Sequence, residues 1–395
     1  MSTVPKGIPA PPAQRRMLPP FTEEHEELRA SLRRFVEHEL LPHADEWEDA
    51  RWFPSELFPR MGELGFLGLK YPIEYGGQGG DYLHDAVLAE ELARCGSGGV
   101  AAGLGAHITI ATPPVWKFGT EDQKRRYLVP SIAGEKIAAL GITEPDAGSD
   151  VAGLKTHAED VDGGWILNGS KMFITNGVRA DYVVMAVRTT PEGGHGGISF
   201  FLVDTDQPGY TAEKIEKLGW HASDTALIAM DDVFVPRENL LGELHGGFKL
   251  IMANFQWERL SMALGAVAAM QVCFDRTLRY ALEREAFGRQ IGKFQVTRHK
   301  FAEMATTIEA GRSLTYHALR LFVEGHDALQ EVTKAKLLTQ RAAFEVADEC
   351  LQIHGGAGYM KEYGIERAAR DARLGPIGGG TDEIMREILG RTMGL

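Results

Sequence analysis

The texture of the chain switches twice, and those switches limit its fold more than any other feature. From Thr22 to about Ala133 apolar residues recur at helical spacing. Thr22 followed by Glu23 and Glu24 suits a helix start, and Leu28, Leu32, Phe35 and Val36 then share one face. Between about Gly134 and His245 the runs become short and β-branched or aromatic, as in Tyr182–Val187 and Ile198–Val203, with Gly, Pro and Asp turns between them. Asp232-Val233-Phe234-Val235-Pro236 reads as the last of these strands. After Gly246-Gly247 helical periodicity returns over roughly 247–285, 295–324, 327–354 and 381–391, with breaks at 353–358 and 374–380. The expected fold is mainly α with a central β domain. It comprises a Pro-rich arm at 1–20, a helical domain at 21–133, a small antiparallel β domain at 134–245 and a helical bundle at 246–395.

Several function classes fall away on composition. A chain of 395 residues can hold two or three domains with sizeable cores. No apolar run approaches the roughly 20 residues of a membrane span; the most apolar helical stretch, Leu260 to Val272, is interrupted by Ser261, Gly265 and Gln271. A net charge of −13 argues against nucleic acid as the main partner. Basic residues do gather at Arg276, Arg279, Arg284, Arg289, Lys293, Arg298 and Lys300, which on spacing alone reads as a solvated helix face. Cys95, Cys273 and Cys350 are far apart in sequence and form no CxxC pair, a reduced intracellular pattern. The 13 histidines show no HExxH or other close ligand spacing, so no metal is expected. Residues 1–20 carry six prolines and no acid, which suits a disordered arm better than an amphipathic targeting helix; cytoplasm is the expected location. The glycine loops at 76–80 and 103–108 lack the third glycine of a dinucleotide fingerprint or the Lys-Ser/Thr of a P-loop, and read as backbone punctuation.

The segment from Ala139 to Gly177 carries the chemistry. Its first half, Ala-Leu-Gly-Ile-Thr-Glu-Pro-Asp-Ala-Gly-Ser-Asp, places Thr143 and Ser149 as hydroxyl donors on a loop able to press against a polar planar ligand. In the second half, Asn168-Gly169 is expected to form a tight turn, and Met172-Phe173-Ile174-Thr175 a short buried strand. Taken singly, each half is also compatible with ordinary turn-and-strand punctuation. Their order and spacing resemble the two flavin-contacting segments of the acyl-CoA dehydrogenase family, most closely its long-chain and isovaleryl-type members. The resemblance runs from about residue 21 to the end. It implies an N-terminal helical domain, a middle β domain and a C-terminal four-helix bundle.

It also implies FAD shared between subunits. One subunit's β domain would hold the flavin ring through Leu140, Ile142, Thr143, Gly148, Ser149, Phe173 and Thr175. The neighbour's bundle would hold the pyrophosphate and adenosine through Arg284, Phe287, Gln295, Gln352 and Gly356. A guanidinium offers several donors to phosphate, and glycine lets backbone approach a nucleotide closely. Thr381 and Glu383 would also contact the cofactor, Glu383 standing where many relatives have Gln. Such a site needs at least a dimer, and the family is usually a dimer of dimers.

Oxidising an acyl thioester between its α and β carbons needs a base, a hydride acceptor and a polarised carbonyl. The family commonly places its base, a glutamate, in a Tyr-Glu-Gly-Thr motif before the last helix; here that stretch is Gly378-Gly379-Gly380-Thr381. Long-chain and isovaleryl-type members carry the base instead on the first bundle helix, at the position of Glu258 in Gln256-Trp257-Glu258-Arg259. Without the resemblance, Glu258 reads equally well as a solvated helix glutamate. Against that, adjacent helix residues point about 100° apart, so Arg259 is a poor ion-pair partner for it. The amide of Gly379 would then polarise the thioester carbonyl, and Ser149, Gln256 and Arg259 would contact acyl-CoA. An electron-transfer flavoprotein is the implied acceptor. Two other functions stay open on sequence: a flavin oxidase or monooxygenase on the same fold, and an inactive homologue serving as a scaffold.

Overall fold

Helix, sheet and bundle follow one another along the chain as the texture requires. The structure is a computed structural model describing residues 18–190 and 194–395, so most of the expected Pro-rich arm lies outside the described residues. The N-terminal part contains α1 (Glu23–Phe35), α2 (Ala44–Ala50), α3 (Leu57–Glu63), α4 (Tyr82–Leu92), α5 (Gly98–Gly105), α6 (Thr112–Phe118), α7 (Glu121–Gln123) and α8 (Val129–Ile132). α1 continues into a π-helical turn, Val36–Leu40. Leu32, Phe35 and Val36 are buried, as the face read from sequence requires, while Leu28 packs at the margin of the same cluster.

The middle part holds β1 (Ala138–Gly141), β2 (His157–Val161), β3 (Gly164–Thr175), β4 (Tyr182–Arg188), β5 (Ile198–Asp204), β6 (Tyr210–Lys214), β7 (Thr225–Pro236) and β8 (Leu240–Leu241). They form one sheet in the order β6-β7-β3-β2-β4-β5-β8, with β1 beside β4. The long ladders are antiparallel, but β1 runs parallel to β4, Ala138 opposite Tyr182. Some forty residues separate those two strands, long enough for the crossover that a parallel pair demands. Alternate residues of β4 feed two different cores. Tyr182, Val184 and Ala186 pack toward the helices with Tyr71, Tyr127 and Leu250. Val183, Met185 and Val187 pack among Trp165, Phe201 and Val233. A strand buried on both faces shows a continuous apolar run, which is how 182–187 reads.

Two local expectations in this part are corrected. Asn168-Gly169 is not a turn but a bulge inside β3, where the register against β7 shifts between Leu167 and Gly169. The Asn168 amide donates to Asp232 Oδ1 at 3.0 Å and accepts from the Asp232 N–H at 2.9 Å, so it bridges strands instead of reversing the chain. Met172–Thr175 is the end of a twelve-residue strand, and Phe173 is not buried. A second register shift at Met172/Ile174 turns it outward at φ +63°, leaving it 61% exposed.

The C-terminal part contains α9 (Gly247–Glu283), a short hairpin of β9 (Glu285–Ala286) and β10 (Arg289–Gln290), α10 (Gln295–Val323), α11 (Leu329–His354), α12 (Ile365–Ala372) and α13 (Asp382–Thr392). α12 has no counterpart among the helical segments read from sequence; eight residues are too few for periodicity to register. α9 is about 55 Å long and threads three cores. Leu250 and Ile251 lie under the sheet, Trp257, Leu260 and Leu264 among the N-terminal helices, and Val267, Met270 and Cys273 within the bundle. No helix among the described residues is long and apolar enough to cross a membrane.

Candidate active site

The loop after β1 is built around a buried ion pair. Glu144 and Lys171 are both buried, with Glu144 Oε1 2.7 Å from Lys171 Nζ. Lys171 also donates to the Ile142 carbonyl at 3.2 Å, and Glu144 accepts the N–H groups of Lys155 at 2.6 Å and Thr156 at 3.0 Å. Burial works against the Glu144 carboxylate, but the Lys171 ammonium and the Lys155 N–H outweigh it and hold its pKa below the usual range. Glu144 and Ala147 close a tight turn, N–H to carbonyl at 3.0 and 3.2 Å in the two directions. The Met172 N–H is given to the Thr143 carbonyl at 2.8 Å. These bonds stitch the 142–147 segment to the end of β3. Thr143 and Thr175 are left half-buried, and Gly148, Ser149 and Phe173 exposed, on connected stretches of backbone. An exposed aromatic on strained backbone beside hydroxyl donors suits a planar ligand that is apolar on its faces and polar on its edge.

Glu258 stands where α9 passes between the three cores. Ile142 and Ala147 belong to the same apolar cluster as Leu250 and Ile251, and Leu140 and Phe255 pack against it, so the loop and α9 are joined on one chain. Glu258 is half-buried as a residue, yet its Oε2 is sealed from water and has no hydrogen-bond partner. Burial pushes its carboxyl up to about 7, against the pull of the Arg259 and Lys336 charges. Facing it is the loop before α13. Gly379 and Gly380 adopt φ +63° and +93°, left-handed backbone that favours glycine. A Cβ at Gly379 would lie 3.7 Å from Glu258 Oε1 and 2.5 Å from Met262 Sδ. A side chain at 379 and the one at 258 would therefore aim at the same point. Arg259 is buried, its guanidinium carbon 5.2 Å from the Phe255 ring centroid and its Nε donating to the Gly379 carbonyl at 3.2 Å. Its guanidinium thus lies against the loop before α13. Gln256 is half-buried beside it. Thr381 caps α13 by accepting the Ile384 N–H at 3.3 Å, and Glu383 is exposed.

The remaining sequence candidates gather elsewhere. Arg284, Phe287 and Gln295 are exposed around the β9–β10 hairpin. Ala286 pairs with Arg289, so Phe287-Gly288 form a two-residue turn with φ +52° and +75°. Phe287 is 96% exposed at its tip. Tyr280 stacks on His354 with centroids 4.3 Å apart, which brings Gln352 and Gly356 to the hairpin's end of the bundle. Lys336, which touches the Gly379 loop, is sixteen residues before Gln352 on α11, about 24 Å along the helix. Within one chain the hairpin group is not brought to Glu258. The basic run is not simply a solvated face either, since Arg276 reaches the Tyr363 carbonyl at 3.2 Å.

Sequence reading missed Glu144, Lys171, Met262 and Lys336. It also missed the meeting of His25, Asp81 and His84, the one such group able to surround a cation among the described residues. The two histidine rings serve as reciprocal caps: the Thr22 N–H donates to His25 Nδ1 at 3.2 Å, and the Asp81 N–H to His84 Nδ1 at 3.1 Å.

The raised pKa of Glu258 has a testable stability consequence. A carboxyl that is harder to ionise folded than unfolded costs nothing below its unfolded value near 4.5. The cost grows as pH rises and is fully expressed above about 7. In the ligand-free protein, Glu258→Gln should therefore match the parent near pH 4.5 and exceed it at pH 8 by roughly 1–3 kcal/mol, the range allowing for half-burial. Denaturant midpoints at the two pH values check this; a difference unchanged between them would mean that the site does not shift Glu258.

Three family models cover nearly the whole chain: the acyl-CoA dehydrogenase N-terminal domain at residues 22–135, the middle domain at 139–233 and the C-terminal domain at 245–394. The chain is 38% identical over 376 residues to a mitochondrial isovaleryl-CoA dehydrogenase of Solanum tuberosum, covering 94% of this chain and 91% of that protein. It is 39% identical to a mitochondrial long-chain specific acyl-CoA dehydrogenase of Mus musculus, covering 94% and 86% respectively. The crystal structure of acyl-CoA dehydrogenase from Geobacillus kaustophilus superposes with a TM-score of 0.94 at 40% identity, covering 96% of this chain and all of that one. Matched in all three parts and over nearly its full length, the chain belongs to the acyl-CoA dehydrogenase family.

Proposed function

We propose that this enzyme removes hydrogen across the α and β carbons of an acyl-CoA thioester, with Glu258 as the base and FAD as cofactor. The observation that supports the base is the sealed, unpartnered Glu258 Oε2 beside a loop whose own acid position is glycine. Desolvation that raises the carboxyl to about 7 makes it a stronger base toward a weakly acidic C–H while leaving it largely ionised just above neutrality. The α proton passes to a carboxylate oxygen of Glu258, and the electron pair left behind spreads onto the thioester oxygen. The amide of Gly379, which has no acceptor among the described residues, is the donor assigned to that charge. Ser149, Gln256 and Arg259 border the substrate, Arg259 from its place against the Gly379 carbonyl.

The residues present fit a flavin. Phe173 offers an exposed aromatic wall, and Leu140, Ile142, Thr143, Gly148, Ser149 and Thr175 offer apolar, hydroxyl and backbone groups next to it. Thr381 and Glu383 lie at the start of α13, beside the Gly379 loop. Bound there, the flavin supplies the hydride acceptor. Arg284, Phe287, Gln295, Gln352 and Gly356 serve the same cofactor on a neighbouring chain. This reading explains why a phenylalanine stands 96% exposed on left-handed backbone beside an exposed arginine, Arg284. The enzyme accordingly works as a homo-oligomer, at least a dimer and in our reading a dimer of dimers. It hands its electrons on to an electron-transfer flavoprotein.

Anaerobic titration with acyl-CoAs graded in length and branching tests the reading. One of them is expected to bleach the flavin absorbance stoichiometrically and to yield the 2-enoyl thioester. A purified protein that takes up FAD but is bleached by none of them would reject it, and turnover with O₂ matching that with a one-electron dye would make it an oxidase.

A further inference from the structure

Three consecutive amides in the loop facing Glu258, those of Gly379, Gly380 and Thr381, have no acceptor among the described residues. The carbonyls between them are both taken, and each by a cation. Arg259 Nε donates to the Gly379 oxygen, and Lys336 Nζ donates to the Gly380 oxygen. In a planar trans peptide the C=O and the following N–H point in opposite directions. Drawing the Gly379 carbonyl toward Arg259 therefore turns the Gly380 N–H away from it, and drawing the Gly380 carbonyl toward Lys336 does the same for Thr381.

Lys336 is an expensive residue to keep for packing. Its side chain is fully buried, on a face of α11 shared with Val332, Ala335 and Thr339. A buried ammonium is costly unless hydrogen-bonded or paired. It makes no ion-pair contact among the described residues, and its one hydrogen-bond partner there is the Gly380 carbonyl. Asp382, the first acid of α13, is held by Arg341 at 2.9 Å. The charged groups around Lys336 are Asp382 and Glu383 of α13, with Arg259 and Glu258 of α9, and Glu258 in turn feels Arg259 and Lys336.

We propose that Lys336 is a positioning residue that, with Arg259, pins the Gly379 and Gly380 carbonyls and so holds the glycine loop in the one conformation that keeps the Gly379 amide available to the thioester oxygen as negative charge develops there. The inference rests on Glu258 being the base beside this loop. It explains why a lysine with no acid in contact sits in the core behind a glycine loop.

The test uses the FAD-loaded enzyme and a chromophoric thioester, 3-(4-dimethylaminophenyl)acryloyl-CoA, whose absorbance moves to the red as its carbonyl is polarised. Parent enzyme and Glu258→Gln should both shift the bound probe, because the Glu258 side chain takes part in neither of the two clamping hydrogen bonds. Lys336→Met, which keeps the apolar stem, should bind the probe but lose most of the shift. Its kcat should fall on the order of a hundredfold, the usual consequence of spoiling one such donor, with KM within about threefold. A merely structural lysine would lower thermal stability and flavin content without altering the spectrum of the bound probe. Should Lys336→Met not fold, Arg259→Gln acts on the neighbouring carbonyl and should show the same paired loss. An undiminished red shift in whichever variant folds overturns the proposal. Failure of the base reading appears separately, as retained turnover in Glu258→Gln.

Discussion

Replacing Glu258 by glutamine is expected to lower turnover by on the order of a thousandfold while leaving the protein folded, its flavin in place and substrate bound. Glutamine keeps the size of the side chain but cannot accept the α proton, and the loop's own acid position, residue 379, is glycine. Arg259 and Lys336, the charged neighbours of Glu258, are cations and cannot substitute. The decisive measurement is anaerobic single-turnover bleaching, which isolates the chemical step from electron release. A rate within tenfold of the parent would mean that the proton leaves by another route.

The second large effect is expected at Lys171. Lys171→Met leaves Glu144 buried beside a methionine, still accepting two backbone N–H groups but without its counter-charge. Stranding one partner of a buried ion pair typically costs about 3–5 kcal/mol. Lys171 also holds the Ile142 carbonyl, so the loss falls on the 142–147 loop. Equilibrium denaturation should show the destabilisation, and flavin should wash out on gel filtration. The double variant Glu144→Gln, Lys171→Met should recover much of the stability, because replacing both charges is far milder than orphaning one. If the single variant is as stable as the double, the pair does not hold the loop.

What the sequence showed and what it hid divide along physical lines. Texture and period gave the succession of helices, sheet and bundle, because burying one face of a helix or both faces of a strand leaves a local imprint at 28–36 or 182–187. Glu258 was visible as an acid next to an apolar helical run, but its sealed oxygen depends on a loop more than a hundred residues away. Phe173 was placed in a strand correctly and facing the wrong way, since a bulge adds one residue and reverses the alternation. Asn168-Gly169 failed for a related reason: a turn signal yields when the asparagine finds a cross-strand partner such as Asp232. Lys336 does leave a trace in the sequence. Buried positions of α11 run Val332, Ala335, Thr339, Ala343, and a lysine on that stripe can be kept only for a partner.

The meeting of positions 258 and 379 at one point in space bears on how such an enzyme could have changed over time. An acid placed at residue 379 would begin with its Cβ 2.5 Å from Met262 Sδ and on backbone that disfavours any side chain. It would also bring a second negative charge beside Glu258. Losing Glu258 first leaves no acid at all. Passage between an acid at 258 and an acid at 379 is therefore uphill in either order, and residue 262 decides it: its side chain must shrink or swing aside before an acid at 379 can be housed.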